Sequence, residues 1–166
     1  MLDALVALAR AGVDFVVVGV GGINFYARDA SQVVITGDID VFLPPRPEVL
    51  RDALAALGAA GFSFQAGGEP FVDVDDLLVL ARVVERAAVV TAEDRDGARV
   101  DLMLSGAGLC FDDLAQDAVL FRIADVEVRV GRLEKLLRAK ERAGRPKDVE
   151  FLRMWAARLR EEAGEG

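Results

Sequence analysis

Histidine is absent from this sequence of 166 residues, and cysteine occurs once, at Cys110. A single cysteine excludes a disulfide within the chain and any cluster of thiolate metal ligands. Without histidine, the usual zinc sites and the catalytic triads that use a histidine base are not expected. Any catalysis must therefore use other groups, and the side chains of the 28 acidic residues are the main candidates.

Long hydrophobic runs are also lacking. No apolar stretch of this sequence reaches the ~20 residues that a transmembrane helix needs. The first residues, MLDA, lack the basic start and the long apolar segment of a signal peptide. A length of 166 residues with 53% hydrophobic residues is typical of one globular domain, here residues 1–166. We therefore expect a single-domain cytoplasmic protein with no membrane partner.

Positive charge is scarce in most of the chain and is concentrated near its carboxyl end. The net charge is −8, but residues 1–128 carry a net −12 and residues 129–160 carry a net +7. This distribution predicts an acidic α/β core over residues 1–130 and a basic helical cap over residues 131–166. A cationic cap suits an anionic ligand, although a solvated basic helix face is the commoner origin of such a charge run.

Hydrophobic periodicity and turn residues predict an α+β fold with a mixed α/β sheet. Helices are predicted at residues 2–9, 23–28, 50–57, 111–117, 133–143 and 146–159. Strands are predicted at residues 15–18 and 38–43, at 87–91 and 98–104 as a hairpin, and at 119–123 and 126–130. Residues 67–70 are predicted as a loop, and residues 71–80 are left without an assignment.

Two carboxylates lie two residues apart in the apolar segment 36–43, which reads TGDIDVFL. Because successive side chains of a strand alternate between its faces, Asp38 and Asp40 project together while Ile39 enters a core. Two close anions favour a divalent cation, and Mg²⁺ or Mn²⁺ prefers carboxylate oxygens and commonly keeps a substrate phosphate among its ligands. The alternative is an edge strand with a solvated acidic face, because so short a motif also occurs by chance.

A third carboxylate, Asp101, lies in the strand predicted at residues 98–104. Alternation places it opposite to Val100 and Leu102, so that it can point from a neighbouring strand toward the aspartate pair. Asp101 would then be a metal ligand and would also polarise or deprotonate an attacking hydroxyl. Alternatively, Arg99 lies on the same face and would form a purely structural salt bridge with Asp101.

Glycines follow the first predicted strand in the segment 19–22, which reads GVGG. A tight turn here, followed by a helix, would let backbone N–H groups approach a phosphate. A dinucleotide-binding fingerprint is an alternative, but Asn24 occupies the position of its third glycine. A turn that is needed only for packing is a further alternative.

Cations surround the predicted turn between the two carboxyl-terminal helices, where residues 140–148 read KERAGRPKD. Such a cluster can hold a polyphosphate, and Arg145 and Lys147 would make charge-assisted contacts to phosphate oxygens. Asp148, in the first turn of the last helix, is interpreted as a helix cap. An ordinary turn between two helices is the competing account.

In combination, these segments resemble the minimal nucleotidyltransferases of the DNA-polymerase-beta superfamily, in particular the group that includes AbiEii-type abortive-infection toxins. The matching segments read FVVVGVGG at 15–22, TGDID at 36–40, VDL at 100–102, LEKLLRAK at 133–140 and GRPKD at 144–148. They extend over nearly the whole chain. The resemblance implies a nucleotidyltransferase-like core followed by a C-terminal helical pair.

The resemblance also implies a role for each of these residues. Asp38, Asp40 and Asp101 are the expected catalytic residues and the expected ligands of Mg²⁺ or Mn²⁺. The expected nucleotide-binding residues are Gly21, Gly22, Asn24, Thr36, Lys140, Arg145 and Lys147.

The predicted function is metal-dependent transfer of a nucleoside monophosphate group from a nucleoside triphosphate to an acceptor hydroxyl. The acceptor is an RNA end, a protein or a small molecule, and a place in a toxin–antitoxin pair, with a cognate antitoxin or partner protein, is a further expectation. The basic residue that the family carries before its aspartate pair is absent, because residues 32–36 read QVVIT. This departure motivates an alternative, a catalytically degenerate protein that binds a nucleotide or a partner without turnover. A structural domain with incidental acids is the third hypothesis.

Overall fold

The computed structural model describes residues 1–164, with side-chain surroundings for residues 1–158. The helices are α1 (Leu2–Arg10), α2 (Gly19–Asn24), α3 (Pro47–Ala59), α4 (Leu77–Glu85), α5 (Phe111–Ala115), α6 (Leu133–Ala143) and α7 (Pro146–Gly164), with a 3₁₀ turn at Ala30–Gln32. The strands are β1 (Val16–Val18), β2 (Asp38–Phe42), β3 (Ser63–Ala66), β4 (Glu69–Pro70), β5 (Val90–Glu93), β6 (Arg99–Met103), β7 (Val119–Ile123) and β8 (Val126–Val130). None of the helices in the described part of the chain is long and apolar enough to cross a membrane.

The strands form one mixed sheet of eight in the order β4-β3-β5-β6-β2-β1-β8-β7. Strand β2 pairs with β6, and β1 with β8, in parallel, whereas the other neighbours are antiparallel. The predicted class, α+β with a mixed α/β sheet, is therefore confirmed. The β7–β8 hairpin has the predicted bounds, and β5 and β6 form the predicted hairpin, although β5 begins at Val90 rather than at residue 87.

The centre of the sheet is formed by β1, β2 and β6. All three valines of β1 are buried, as an unbroken β-branched run predicts for a strand that is covered on both faces. On β2, the buried residues Ile39 and Val41 alternate with the two aspartates, which are only partly buried. The strand therefore directs its apolar residues into the core and its carboxylates to the opposite face.

The segment 19–22, predicted as a turn before a helix at residues 23–28, is itself the start of α2. The prediction was wrong because glycines in a row usually indicate a turn, whereas these glycines allow the helix to approach its neighbours closely. Gly21 lies against the side chain of Ile39, and Gly22 lies between Leu136 and the backbone of Val17. Both glycines are buried. A side chain at either position would have to displace core atoms.

The basic segment forms a pair of helices that pack against each other, and α6 also packs against α2. α6 ends at Gly144, which adopts the left-handed conformation with a φ of 58°, and α7 begins at Pro146, whose fixed φ suits a first turn. Leu136 of α6 is buried, as are Phe151 and Trp155 of α7, whose rings stack with centroids 6.3 Å apart. α6 has the predicted bounds, and α7 extends beyond the predicted end at residue 159.

Three elements between residues 62 and 86, namely β3, β4 and α4, were not predicted from the sequence. β3 and β4 form the edge of the sheet, so that part of the loop predicted at residues 67–70 is strand. α4 begins after Asp76, whose carboxylate accepts hydrogen bonds from the backbone N–H groups of Leu78 and Val79. Leu80 is the fully buried residue of α4, whereas Leu77 and Leu78 are exposed, so the apolar residues of this helix do not by themselves mark its buried face.

Gly22→Ala is expected to lower the free energy of unfolding by about 1 to 3 kcal/mol, because overpacking a tight core position costs this much. An added Cβ would lie 3.1 Å from Cδ1 of Leu136 and 3.2 Å from the carbonyl oxygen of Val17. Gly58→Ala in α3 is the matched control, since its nearest atom would be 3.8 Å away. There, removal of a helical glycine is expected to stabilise the protein by up to about 1 kcal/mol. Urea unfolding measures both changes, and a Gly22→Ala variant as stable as the wild type would contradict the packing account.

Candidate functional site

Three carboxylates meet on one face of the sheet. Asp38 and Asp40 come from β2 and Asp101 comes from β6, where the parallel register sets Asp40 directly beside Asp101. Each residue offers one carboxylate oxygen, and these three oxygens all lie within 4.8 Å of one another. The structure therefore brings together the three acids that the sequence singled out.

Two threonine hydroxyls orient the outer carboxylates. Oγ1 of Thr36 donates to Oδ1 of Asp38 over 2.9 Å, and Oγ1 of Thr91 donates to Oδ1 of Asp101 over 2.6 Å. Thr91 was missed from the sequence, although the hairpin prediction contained the signal, because β5 sets Thr91 opposite Asp101. The alternative ion pair of Arg99 with Asp101 is not the one formed, since Arg99 lies 3.7 Å from Glu93.

Asp40 is the carboxylate in the least favourable surroundings for a negative charge. Burial, followed by repulsion from Asp38 and Asp101, raises its pKa to about 6, while Lys140 and Arg145 act in the opposite direction. Gly19, with a φ of 67°, is also in close contact, because a Cβ at this position would clash with Oδ2 of Asp40. Gly19, rather than Gly21 or Gly22, is thus the glycine of α2 that touches the triad.

A second charged cluster lies at the α6–α7 corner around Asp148, which is fully buried. Oδ1 of Asp148 accepts a hydrogen bond from Nζ of Lys140 over 2.9 Å, and its Oδ2 accepts one from Nε of Arg145 over 2.6 Å. Burial opposes ionisation of this carboxyl, but the hydrogen bonds and charges of Arg145 and Lys140 outweigh it and lower the pKa to about 2. Asp148 does lie in the first turn of α7, as predicted, but its side chain also holds two cations, which the interpretation as a helix cap did not include.

Two cavities meet at the two charged clusters. The first, of about 470 Å³, is lined by all three aspartates and by Lys140, Arg145 and Lys147, and we call it the polar cavity. The second, of about 360 Å³, is lined mainly by Val18, Phe42, Met103, Leu109, Leu136 and Ala139, and we call it the apolar cavity. Asp40, Met103, Lys140, Arg145 and Asp148 line both cavities. Anionic and cationic side chains therefore border the same space.

The other predicted nucleotide-binding residues have different surroundings. Gly21 and Gly22 are packed in the core, as described above. The amide of Asn24 is paired with the backbone of Val34 through two hydrogen bonds, of 2.8 and 2.9 Å. These contacts hold α2 to the segment that leads into β2. Thr36 lines the polar cavity, whereas the lining of that cavity does not include Gly21, Gly22 or Asn24. A nucleotide-binding role for these three residues stays a prediction.

The donor set of the triad fits a hard divalent cation. All three side chains offer carboxylate oxygens, the ligand type that Mg²⁺ and Mn²⁺ prefer, and they are close enough to share one ion or a pair of ions. Repulsion from Asp38 and Asp101 adds to the effect of burial in raising the pKa of Asp40. A bound cation would remove this repulsion.

No protein-family model matches this chain, and neither does any curated protein. An assignment of function therefore depends on the chemistry of the two charged clusters and of the cavities between them.

At pH 7.5, without divalent cations, Asp40→Asn is expected to raise the free energy of unfolding by about 1 to 2 kcal/mol, allowing for partial screening by solvent. The pKa of this carboxyl is raised from 3.8 to about 6 in the fold, so the fold favours the protonated form. The stabilisation that comes from protonating Asp40 in the fold is complete below pH 3.8 and is lost as the pH rises through 6. The difference in free energy of unfolding between Asp40→Asn and the wild type should therefore vanish near pH 4. Urea unfolding at both pH values, with exposed Asp73→Asn as the control, measures this. A variant less stable than the wild type at pH 7.5 would contradict the account.

Asp148→Asn is expected to lower the free energy of unfolding by about 3 kcal/mol, because removing one partner of a buried ion pair leaves the other charge uncompensated. Lys140 is that charge, with a side chain only 12% exposed. Asp125→Asn is the matched control, since it removes a 2.7 Å ion pair with Arg10 in which both side chains are more than half exposed. A much smaller loss of unfolding free energy is expected for this control, because exposed ion pairs contribute little. Urea unfolding measures both variants. Equal losses of unfolding free energy would contradict the account, because the buried ion pairs of Asp148 would then contribute no more than an exposed one.

Proposed function

We propose that this protein is a metal-dependent nucleotidyltransferase. The observation that carries the proposal is the polar cavity, in which three carboxylates on the sheet lie across from three cationic side chains of the helical cap. Nucleotidyl transfer from a nucleoside triphosphate needs both kinds of charge, because the triphosphate is anionic and the divalent cation that accompanies it requires anionic ligands. An acidic surface alone would bind only the cation, and a basic surface alone would bind only the triphosphate.

The charge of each side chain in the polar cavity indicates its proposed role. Asp38, Asp40 and Asp101 would hold Mg²⁺ or Mn²⁺, which when bound supplies neutralisation of phosphate charge and polarisation of the reacting phosphoryl group. Lys140, Arg145 and Lys147 would contact the phosphate oxygens. Asp148 would position two of these cations, because both Lys140 and Arg145 are hydrogen-bonded to its buried carboxylate. The Thr36 and Thr91 hydroxyls would keep the outer carboxylates in orientation.

The proposed reaction forms a bond from an acceptor oxygen to the α-phosphorus. The bond from that phosphorus to the oxygen that bridges to the β-phosphate breaks, pyrophosphate leaves with the electron pair, and the hydroxyl proton is released to water. The product is the acceptor with a nucleoside monophosphate attached. The main contribution of side chains to such a transfer is to hold the two reactants so that the attacking oxygen, the α-phosphorus and the leaving oxygen lie in line.

We extend the proposal to the family that the sequence motifs resemble, the minimal nucleotidyltransferases of the DNA-polymerase-beta superfamily. What supports the extension is the parallel pairing of the strand that carries Asp38 and Asp40 with the strand that carries Asp101. A cytoplasmic location, an acceptor that is RNA, protein or a small molecule, and a cognate antitoxin partner are part of the same proposal.

Calorimetric titration of each nucleoside triphosphate, with Mg²⁺ and then with chelator, tests the proposal. Binding is expected with Mg²⁺ and is expected to weaken at least about a hundredfold in Asp38→Asn, because a bound metal contributes several kcal/mol to holding phosphate charge. Asp73→Asn, which removes an exposed carboxylate outside both cavities, should bind as the wild type does.

Pyrophosphate release distinguishes catalysis from binding alone. Metal-dependent release that disappears in Asp38→Asn supports the transferase. Tight metal-dependent binding without release, across a panel of acceptors, would support the degenerate nucleotide-binding protein instead. The absence of any metal-dependent binding would contradict both functions.

A further inference from the structure

The apolar cavity has no part in the function proposed so far. Its volume is about 360 Å³, close to the 470 Å³ of the polar cavity. The charged residues that line it are Asp40, Lys140, Arg145 and Asp148, and all four also line the polar cavity. Its remaining wall is formed by aliphatic, aromatic, thioether and glycine residues. It is therefore a largely apolar compartment that shares its four charged residues with the polar cavity.

We propose that the apolar cavity binds the acceptor, and that the acceptor presents an uncharged aromatic group close to its reacting hydroxyl. The inference rests on the proposed function and deepens it, because it names the chemical class of the second substrate. A nucleoside and a small aromatic alcohol both have this chemistry.

The polar cavity can accommodate the nucleoside triphosphate by itself, which leaves the apolar cavity for a second molecule. Lys140, Arg145 and Lys147 are available there for the phosphates. The same cavity is also lined by apolar side chains that suit a nucleobase, namely Val34, Ile35, Phe151 and Met154. Both halves of the nucleotide therefore find complementary surfaces on the side of the aspartate triad.

The position of the apolar cavity suits the geometry of the transfer. In phosphoryl-type transfer, the attacking oxygen and the leaving pyrophosphate lie roughly in line on opposite sides of the phosphorus. An acceptor must therefore approach from a space that adjoins the metal-binding carboxylates but is not occupied by the triphosphate. Asp40 is the triad member that borders both cavities, so a hydroxyl held beside it would lie next to the reacting phosphate.

The lining of the cavity selects against a charged acceptor group. Away from the four charged residues of the lining, an anion or a cation beside Phe42, Leu109 and Leu136 would lose its hydration without gaining a partner. An uncharged aromatic ring loses little hydration free energy on entering the cavity, and it gains contact with these side chains. The bond changes remain balanced: the hydroxyl oxygen joins the α-phosphorus, pyrophosphate leaves with the electron pair of the broken bond, and the proton is released to water.

Ligand-observed NMR with two uncharged probes, adenosine and benzyl alcohol, tests the inference. The protein is first saturated with Mg²⁺ and the α,β-methylene analogue of the nucleoside triphosphate that it binds, in which the scissile oxygen is replaced. Both probes are expected to bind to this complex, whereas glucose, a polar uncharged alcohol, is not. Preference for one of the two probes distinguishes a nucleoside acceptor from a simpler aromatic alcohol.

Ala139→Phe should fill the apolar cavity, which Ala139 lines from α6. Probe affinity is expected to fall at least tenfold in this variant, while the affinity for the analogue changes less than twofold. Ala157→Phe, at an exposed position of α7 outside both cavities, is the matched control and should retain both affinities.

Each remaining outcome overturns a specific statement. If the analogue displaces the probes, the apolar cavity holds the base of the nucleotide and the acceptor assignment is wrong. If the analogue binds but the probes do not, or if they bind Ala139→Phe equally well, the assignment is also wrong while the proposed function stands. If the analogue does not bind at all, with or without Mg²⁺, the proposed function fails and the acceptor assignment fails with it.

Discussion

The parallel pairing of β2 with β6 is the contact on which the candidate site depends. Its register sets Asp40 beside Asp101, and alternation along β2 brings Asp38 to the same face. The opposite face fixes this register, because Ile39, Val41, Val100 and Leu102 are all buried there. A slip of one residue would turn carboxylates into the core and apolar residues into the cavity, at a large cost in free energy. Packing of the hydrophobic core thus holds the three carboxylates close together in spite of their mutual repulsion.

The helical cap supplies the complementary charge through a buried carboxylate. Asp148 lies entirely inside the protein, and its ion pairs fix Lys140 and Arg145 at the border of both cavities. The cap is joined to the core by packing, since Leu136 fills the space beside Gly22 and Gly131. Small residues in the core therefore allow a basic helix to approach an acidic sheet. Burial, and then repulsion from Asp38 and Asp101, raises the pKa of Asp40, while Lys140 and Arg145 act in the opposite direction. A bound divalent cation would offset the repulsion among the three carboxylates.

Sequence patterns predicted the parts of this architecture that depend on local periodicity. The alternation of Asp38-Ile39-Asp40, the β7–β8 hairpin and the Gly144–Pro146 helix break are all local signals, and the structure has each of them. Features that depend on distant neighbours were missed or misread. Gly19 touches Asp40 and Gly22 touches Leu136, so their roles follow from packing and not from the turn that glycines usually indicate. The ion pairs of Asp148 were missed because nothing local in the sequence shows that Lys140, eight residues earlier in the last turn of α6, donates to its carboxylate. The short edge strands contain no fully buried residue, and in α4 the apolar residues Leu77 and Leu78 are exposed, so apolar residues alone do not show how these elements pack.

In the proposed function, the three aspartates hold a divalent cation in direct contact with nucleotide phosphate. Electron paramagnetic resonance of bound Mn²⁺, with detection of its hyperfine coupling to ³¹P, measures this contact most directly. With the α,β-methylene nucleotide analogue present, we predict bound Mn²⁺ with a ³¹P coupling of the size that direct coordination gives, and loss of both signals in Asp38→Asn. Mn²⁺ that binds without ³¹P coupling, or that binds the Asp38→Asn variant as it binds the wild type, would contradict the account.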